Sequence, residues 1–448
     1  MNTLSYLFLN FAYREQCAEV SFVVGGAVRD VLLNTEVKDL DIAVKGDAVA
    51  LARKFADTIG AAFVLLDEHF ATARVVKGDH CVDIAALRGG SIYTDLAERD
   101  LTINAMALPL TSLAALRVTS YALQEIIDPC KGRRDLADRI IRMIAEENLR
   151  KDPLRLLRVY RFAAVLGFSI DPATRQSVNK LAGLITTVAA ERIAEELRAM
   201  LGAGRSSPAV TAMMQDGLLS SLFPALSPER SDSILMAYGK AEDILNDPGA
   251  SFPGYEKPVR EYFAADERRT GTKLAALFPR PDEALAAAVQ LKLSVREREF
   301  IHAVSAHRRD IELLYRGGDH SDRSVLLFIK RHREHLYPLL VLSLAGAGAA
   351  GEDPASDHGF QAFCRSLLRS YHEELLPRMR LLPLITGDDL IQVFHLAPSP
   401  LFKEILGTIE DMVAEGAVTT KKEALSTVKD ILSGTFQTPN SEFQTGDE

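Results

Sequence analysis

The chain has 448 residues, which is too long for a single hydrophobic core, so we expect two to four domains. Its 47% hydrophobic and 25% charged residues are typical of a soluble globular protein. The net charge of −9 argues against a surface coated with nucleic-acid-binding charge, but it is compatible with a local basic groove. No apolar run approaches the roughly 20 residues that span a bilayer, which argues against a membrane protein. Four scattered cysteines without C-x-x-C spacing argue against a zinc cage or a disulfide-stabilised fold and favour a cytoplasmic location.

The first 145 or so residues predict an α/β head. The segment MNTLSYLFLNFAYREQ lacks the cationic start and cleavage site of a signal peptide, so we predict a helix there. Five strand-length segments rich in Val, Ile, Phe and Ala follow: VSFVVGG, DLDIAV, AAFVLLD, ATARVVKG and CVDIAAL. Between the second and the third, GDAVALARKFADTIG has helical spacing and ends at a glycine.

After about residue 145 the strand signals stop, and long amphipathic patterns predict that the rest of the chain is helical. The fold class is therefore α+β, with a head that contains a mixed sheet and flanking helices, followed by helical segments. Breaks are predicted near 200–210, near 316–322 and at 345–359. The polar residues 434–448 predict a disordered end.

The strand segment DLDIAV carries two aspartates. Side chains alternate along a strand, so Asp39 and Asp41 project from one face and Leu40 from the other. Two carboxylates this close resist burial unless a cation compensates them, and oxygen ligands at this spacing suit Mg²⁺. A third acid, Asp83, stands in the middle of CVDIAAL.

The neighbouring segment GGAVRD offers groups for a triphosphate. Gly25 and Gly26 permit close backbone approach, the following helix N-terminus favours an anion, and Arg29 provides a bidentate phosphate ligand. Each pattern alone is common on protein surfaces. The combination of both, separated by a short spacer, is much more specific and predicts that phosphate and metal meet at one place.

GGAVRDVLLNTEVKDLDIAV resembles the signature of the class II polymerase β-type nucleotidyltransferases, the group of bacterial tRNA CCA-adding enzymes and poly(A) polymerases. Further segments resemble the family's motifs in order: ERDLTINAMAL (98–108), IIDPCKGRRDLADRIIRMI (126–144), KDPLRLLRVYRFAAVLGF (151–168), ERIAEELRAML (191–201) and a tRNA-enzyme tail at 382–425. The resemblance implies a catalytic head at 1–145, a nucleotide-selecting neck at 146–205, a helical body at 206–335 and a tRNA-binding tail at 336–433.

The resemblance also implies roles for the site residues. Asp39 and Asp41 would hold two Mg²⁺ ions, one activating the RNA 3′-hydroxyl and one accompanying the triphosphate, with Asp83 as a secondary participant. Asp152 and Arg155, one helical turn apart, would read the base edge in place of a template. The remaining predicted contacts to ribose and phosphate are Gly25, Gly26, Arg29, Arg99, Asp100, Asn104, Arg158 and Arg161.

Three departures from the family pattern bear on activity. Lys151 replaces the glutamate that precedes the selecting Asp, and Glu98 replaces the first arginine of the ribose motif. Only IAALRGGSIYTDLA separates Asp83 from Glu98, whereas full CCA-adding enzymes carry a longer flexible loop there that helps to switch from CTP to ATP. Of the substrates CTP and ATP, the short loop favours addition of CC over addition of CCA, with release of pyrophosphate.

The helical body contains a degenerate HD-like region. Residues Pro279 to Pro281 stand where a His-Asp motif would follow LAALF, so we predict no phosphohydrolase activity. The histidines His302, His307, His332 and His335 are isolated or beside arginines, and we interpret them as surface or core residues, with no zinc site. The basic stretches 296–310 and 330–335 are candidates for contact with the tRNA acceptor end through its backbone and shape.

Two alternatives remain open. One is a poly(A) polymerase that adds AMP to general RNA 3′ ends, against which the tRNA-type tail counts. The other is an inactive RNA-binding scaffold, with Lys151 and Glu98 as marks of decay, against which the retained aspartates count. The oligomeric state is not indicated by the sequence.

Overall fold

The computed structural model describes residues 3–37, 39–68, 71–113, 122–226, 231–346 and 358–433. The predicted disordered end at 434–448 and most of the predicted break at 345–359 lie outside these ranges. The chain divides into two units, one of Met1–Ser231 with Gln290–Leu293 and one of Asp232–Val289 with Ser294–Glu448. The finer division at 145, 205 and 335 stays a prediction.

A six-stranded mixed sheet forms the centre of the first unit, with strand order β3-β4-β5-β2-β1-β6. All pairs are antiparallel except β2 with β5, which is parallel. The five predicted strands are confirmed, and β6 was not predicted. The strands are β1 (Ser21–Val24), β2 (Leu40–Val44), β3 (Ala62–Asp67), β4 (Thr72–Lys77), β5 (His80–Ala86) and β6 (Ala107–Pro109).

Five helices accompany the sheet: α1 (Thr3–Arg14), α2 (Gly26–Leu32), α3 (Ala48–Ile59), α4 (Ile92–Ala97) and α5 (Gly132–Ala137). The predicted first helix is α1, whose Phe8 packs edge-on against Phe55 of α3 with ring centroids 5.1 Å apart. The Asp47 side chain accepts from Ala50 N at the start of α3, and Gly60 ends the helix in the left-handed region, as the sequence predicts.

Six helices complete the first unit: α6 (Glu146–Lys151), α7 (Leu154–Leu166), α8 (Pro172–Leu181), α9 (Ala190–Gly202), α10 (Ser207–Gln215) and α11 (Leu218–Leu222). The expectation of a wholly helical chain after residue 145 is wrong at one place. The short strand β8 (Ser169–Ile170) pairs in parallel with β7 (Ile140–Ile141). The two residues were too few to give a strand signal, and the Gly167 left-handed turn after α7 directs the chain into this pairing.

The described part of the second unit is helical. Its first nine helices are α12 (Ser231–Asn246), α13 (Pro248–Ser251), α14 (Glu256–Tyr262), α15 (Asp266–Leu277), α16 (Pro281–Gln290), α17 (Val295–Ala306), α18 (Asp310–Gly317), α19 (Asp322–His332) and α20 (Leu336–Ala345). The predicted break at 316–322 is the connection between α18 and α19. The buried Lys273 of α15 pairs with Glu242 of α12 at 2.7 Å.

The C-terminal helices have a core of their own. They are α21 (His358–Arg369), continued by a π-helical turn, α22 (Leu376–Met379), α23 (Gly387–Phe394), α24 (Leu401–Glu415) and α25 (Lys421–Leu432). Leu390, Ile409 and Val428 are buried against one another from α23, α24 and α25. None of the helices in the described ranges combines the length and the apolar character needed to span a bilayer.

Candidate active site

The three aspartates singled out in the sequence lie on or beside the parallel strands β2 and β5. Asp41 and Asp83 are register partners, and Asp39 immediately precedes β2. Burial, followed by the negative charges of Asp83 and Asp39, raises the pKa of Asp41 to about 6. A carboxylate whose charge is disfavoured in this way gains from a nearby cation. The donor set therefore fits a divalent ion that prefers oxygen ligands.

Asp83 is bound by an arginine that the sequence analysis missed. Arg74 lies opposite Asp83 in the antiparallel pair of β4 and β5. Its Nε and Nη2 donate to the two carboxylate oxygens at 2.7 and 2.8 Å, which is a bidentate charge-assisted pair. Asp83 therefore has less capacity left for a cation than Asp39 or Asp41. The sequence signal was an arginine in the middle of an otherwise apolar strand.

The glycine turn after β1 brings the backbone against Asp41. Gly25 has a φ of +68°, a conformation that favours glycine. A Cβ at this position would lie 2.9 Å from Arg99 Nη1 and 3.3 Å from Asp41 Oδ2. At Gly26 a Cβ would lie 3.4 Å from Arg29 Nη2. The two glycines therefore keep open the space between the aspartates and two predicted phosphate-binding arginines.

Arg29 and Asn104 form one hydrogen-bonded group. Arg29 Nη1 donates to Asn104 Oδ1 at 2.8 Å, while its Nε and Nη2 donate to Asp30 Oδ1 at 2.9 and 2.7 Å. The Arg29 side chain is only 11% exposed, so these bonds fix its position. Asp30 was part of the quoted motif, but its role in holding Arg29 was not predicted.

Arg99 is fixed by the buried Asp95, which the sequence analysis also missed. Arg99 Nε and Nη2 donate to Asp95 Oδ2 at 3.1 and 3.0 Å, and Arg88 N donates to Asp95 Oδ1 at 3.3 Å. The Ser91 side chain caps α4 by accepting from Thr94 N. The short connection between β5 and Arg99 is thus a hydrogen-bonded helical turn.

Asp100 is an internal link between the head and the following helices of the same unit. Its Oδ1 accepts from Leu101 N at 2.8 Å and from Asn104 Nδ2 at 3.4 Å, and its Oδ2 accepts from Arg158 Nε at 2.6 Å. Burial alone would raise the pKa of Asp100, but Arg158 and the hydrogen bonds outweigh burial and lower it to about 2. A ribose contact by Asp100 stays a prediction. The carboxylate would have to accept from the ribose in addition to the three donors that it already binds.

The arginine row of α7 gathers around one phenylalanine. The guanidinium carbons of Arg29, Arg158 and Arg161 lie 5.1, 5.3 and 3.9 Å from the centre of the Phe162 ring. Glu196 of α9 accepts from Arg158 Nη1 at 3.3 Å and also pairs with Arg161 Nε. Glu196 lies in a quoted motif, but only the structure shows that it holds both arginines. The three predicted triphosphate ligands are therefore neighbours.

Asp152 and Arg155 come together by a different route from the one predicted. Asp152 ends α6 with φ −134° and ψ 93°, and Pro153 precedes α7, so the two residues do not share a helix. They are nevertheless close, with Arg155 Nε 3.8 Å from Asp152 Oδ2. Arg155 Nη1 donates to the Glu98 and Asn148 carbonyls at 2.9 and 3.1 Å. Glu98, which departs from the family motif, therefore holds Arg155 through its backbone carbonyl, and any residue at this position would offer the same carbonyl.

The two basic stretches of the body share a cleft in the second unit. The cleft has a volume of about 990 Å³ and is lined by Arg296 of the first stretch and Arg333 of the second, together with Arg268. Tyr262 and Tyr371 line it as well. Guanidinium groups beside aromatic rings suit phosphates and stacked bases, so this cleft is a candidate RNA contact, although Glu267, Glu297, Glu299 and Glu334 also line it and offset the arginine charge.

Comparisons with known proteins agree with this geometry. A sequence model of the poly(A) polymerase head domain matches residues 21–142, an RNA-binding model of the same polymerase matches 167–229, and a tRNA nucleotidyltransferase domain 2 model matches 366–428. The chain is 32% identical to a CC-adding tRNA nucleotidyltransferase of Synechocystis over 91% of this chain and 93% of that protein. It is 33% identical to a CC-adding tRNA nucleotidyltransferase of Geobacter sulfurreducens over 90% of both chains.

Solved structures share the fold. A CCA-adding enzyme in complex with CTP aligns with a TM-score of 0.69 at 21% identity, over 98% of this chain and 97% of that one. The Thermotoga maritima CCA-adding enzyme in complex with tRNA aligns with a TM-score of 0.67 at 23% identity, over 95% and 94%. The family models match the head and two parts of the helical remainder, and two relatives above 30% identity match over at least 90% of this chain. The chain therefore belongs to the tRNA nucleotidyltransferase and poly(A) polymerase family.

Proposed function

We propose that the protein is a CC-adding tRNA nucleotidyltransferase. It transfers two cytidylate units from CTP to the 3′ end of a tRNA, releases pyrophosphate each time and stops before the terminal adenosine. The observation that carries this choice over full CCA addition is the short connection from β5 to Arg99. The two full-length relatives above 30% identity, both CC-adding enzymes, support the same choice.

The connection is held by hydrogen bonds to the Asp95 side chain. Between the end of β5 at Ala86 and Glu98 the chain forms a helical turn and α4, and Asp95 binds both Arg88 N and Arg99. Switching from CTP to ATP requires the site to accept a larger base that keeps the exocyclic amine and the adjacent ring acceptor but lacks the carbonyl oxygen of cytosine. A segment already held by these bonds would keep the site in a single form.

Asp39 and Asp41 would hold Mg²⁺, which when bound neutralises the triphosphate and activates the 3′-hydroxyl of the RNA. Gly25 leaves the space in which the phosphates approach these carboxylates. Arg29 and Arg161 would orient the triphosphate, since their guanidinium groups are neighbours around Phe162.

Asp152 and Arg155 would select cytosine. The Asp152 carboxylate accepts from the exocyclic amine, and the Arg155 guanidinium donates to the ring nitrogen and the carbonyl oxygen, which imitates a base-pairing edge. Arg155 is already fixed by the Glu98 and Asn148 carbonyls. A preorganised guanidinium loses little freedom on binding, which favours discrimination at the base.

The tRNA would contact the cleft of the second unit through Arg268, Arg296 and Arg333. Such contacts read backbone and shape, so they would distinguish a tRNA fold from an unstructured RNA without reading its sequence. Affinity for tRNA should therefore fall steeply with added salt.

The test is sequencing of the product 3′ end. A tRNA transcript lacking its last three nucleotides is incubated with CTP and ATP together, and separately with each nucleotide. We expect products that end in CC, no extension with ATP alone, and little extension of an unstructured RNA. Products ending in CCA, or adenylate tails on general RNA, would refute the proposal in favour of a CCA-adding enzyme or a poly(A) polymerase.

A matched pair of variants tests the base-reading residues. Asp152→Asn removes the charge that accepts the cytosine amine, and we expect a drop in kcat/KM for CTP of about 10- to 100-fold, the effect of a lost hydrogen bond to a charged group. Glu147→Gln changes an exposed carboxylate on α6 and should leave CTP use unchanged. Equal kinetics in the two variants would refute the selecting role of Asp152.

A further inference from the structure

Three side chains of the second unit bring metal-ligating atoms together, and none of them belongs to the candidate active site. His307 Nδ1 lies 2.8 Å from Asp310 Oδ2, and His332 Nε2 lies 3.4 Å from the same oxygen. The three ligating atoms all lie within 4.8 Å of one another. In the sequence analysis we interpret both histidines as surface or core residues without a zinc site, because they are far apart in the sequence and stand beside arginines; the grouping of these atoms gives reason to reverse that prediction.

The positions of the three groups are set by the fold. His307 follows α17 and Asp310 begins α18, and the turn between them is closed by a hydrogen bond from Asp310 N to His307 O at 3.0 Å. His332 is the last residue of α19 and its side chain is 5% exposed. Its ring centroid lies 4.9 Å from that of His307 and 4.6 Å from that of Phe328. The imidazoles are therefore held in place by packing.

The separations suit a small transition-metal ion. In a tetrahedral site with bonds of about 2.0–2.1 Å, two ligand atoms lie roughly 3.3–3.4 Å apart. The distance from His332 Nε2 to Asp310 Oδ2 already has this value. The distance from His307 Nδ1 to the same oxygen is a hydrogen-bond length and would have to open by about half an ångström. A modest rotation of a partly exposed side chain is sufficient for that.

The chemistry of the donors selects the class of metal. Two imidazoles and one carboxylate suit Zn²⁺ and related ions, whereas Mg²⁺ and Ca²⁺ prefer oxygen ligands alone. The side chains of His307 and Asp310 are 39% and 29% exposed, which leaves an entry path and room for a water ligand.

We propose that His307, Asp310 and His332 form a site for Zn²⁺ or a similar transition metal, with three protein ligands and a fourth position open to solvent. The competing explanation is a metal-free cluster in which Asp310 accepts hydrogen bonds from both imidazoles. The two explanations differ in a measurable quantity, the uptake of one metal ion per chain with nitrogen coordination.

The test uses the full chain, stripped with a chelator and titrated with Co²⁺ in excess Mg²⁺, which occupies sites made of oxygen ligands. We expect one Co²⁺ per chain with the visible absorption of a four- or five-coordinate ion, and displacement of that ion by Zn²⁺. His307→Gln should weaken binding by more than the roughly 10- to 100-fold that loss of an outer-shell partner costs. His302→Gln, an exposed change on the same helix α17, should bind Co²⁺ like the unmodified protein.

Two results would overturn the site: no uptake of one equivalent with visible absorption, or equal binding by the His307→Gln and His302→Gln variants. Asp310→Asn provides a second variant, and circular dichroism shows whether each variant is folded. Co²⁺ uptake is measured without CTP or tRNA, so it reports on the metal site alone. Loss of the metal site and loss of the proposed transferase activity are therefore separate outcomes.

Discussion

Replacing Asp41 by Asn should stabilise the metal-free protein while abolishing its activity. Burial and the two neighbouring carboxylates place the pKa of Asp41 at about 6, compared with 3.8 for an ordinary Asp. At 1.36 kcal/mol per pKa unit this difference corresponds to roughly 3 kcal/mol against folding when the group is ionised. Because part of the site faces solvent, we expect Asp41→Asn to raise the free energy of unfolding by about 1–3 kcal/mol at pH 7 in a chelator.

The sign of the pH dependence follows from the same pKa. The folded protein binds the Asp41 proton more tightly than the unfolded chain does, so the penalty is full above about pH 6 and absent below about pH 4. The stability difference between Asp41→Asn and the unmodified protein should therefore disappear on acidification. Asp79→Asn, an exposed change in the turn between β4 and β5, is the matched control and should alter stability little at either pH.

Urea denaturation in a chelator at pH 7 and pH 4 measures both effects, and nucleotide transfer in Mg²⁺ measures activity. A metal-binding carboxylate contributes several kcal/mol to the transition state, so we expect activity to fall by at least about two orders of magnitude. The electrostatic account would be refuted if Asp41→Asn were less stable than the unmodified protein at pH 7, or if its gain in the free energy of unfolding persisted at pH 4. Retained turnover would refute the metal assignment.

The buried pair of Lys273 and Glu242, 2.7 Å apart with side chains 0% and 5% exposed, makes a second prediction. Lys273→Met should lower the free energy of unfolding by about 3–5 kcal/mol, and adding Glu242→Leu should recover most of that loss, because an unpaired buried charge costs more than the absence of both charges. Equal losses in the single and double variants, measured by chemical denaturation, would contradict this. Burial lowers the pKa of His332 to about 4 and also lowers the pKa of His335 and of His372, so the unfolded chain takes up protons before the folded one. In a chelator, the urea midpoint of the Asp41→Asn variant, which lacks the opposing titration of Asp41, should therefore fall as the pH is lowered from about 6.5 towards 4, and a constant midpoint would argue against buried neutral imidazoles.

The acidic residues of the site were predictable because a carboxylate on an apolar strand is unusual and needs a compensating partner. Arg74 was not, because an arginine on a half-exposed strand is common. Only the register of β4 against β5, a long-range property of the sheet, places it opposite Asp83. Asp95 was missed for a similar reason, since its burial depends on how the connection after β5 folds back.

The sequence indicated the break between α6 and α7, but our prediction followed the helical spacing of Asp152 and Arg155 and placed both on one helix. A residue before proline avoids the α-helical region, and Asp152 precedes Pro153. The structure shows the extended backbone that this rule predicts, and the turn still brings Arg155 close to Asp152. The proposed selecting pair is therefore placed by a turn, and substitution of Pro153 should affect nucleotide choice more than stability.

The charges around the proposed nucleotide site give a reason why the nucleotide would bind there with a cation. Each arginine that would meet the triphosphate already has a carboxylate partner: Arg29 pairs with Asp30, Arg99 with Asp95, Arg158 with Asp100 and Glu196, and Arg161 with Glu196. These carboxylates offset the charge of the neighbouring guanidinium groups and leave little net positive charge. A free triphosphate would therefore meet a site that is close to neutral, beside the unfavourable negative charge of Asp41. A nucleotide that arrives with divalent cations would offset both, so the proposed site would be complementary to the metal complex of the nucleotide and not to the nucleotide alone.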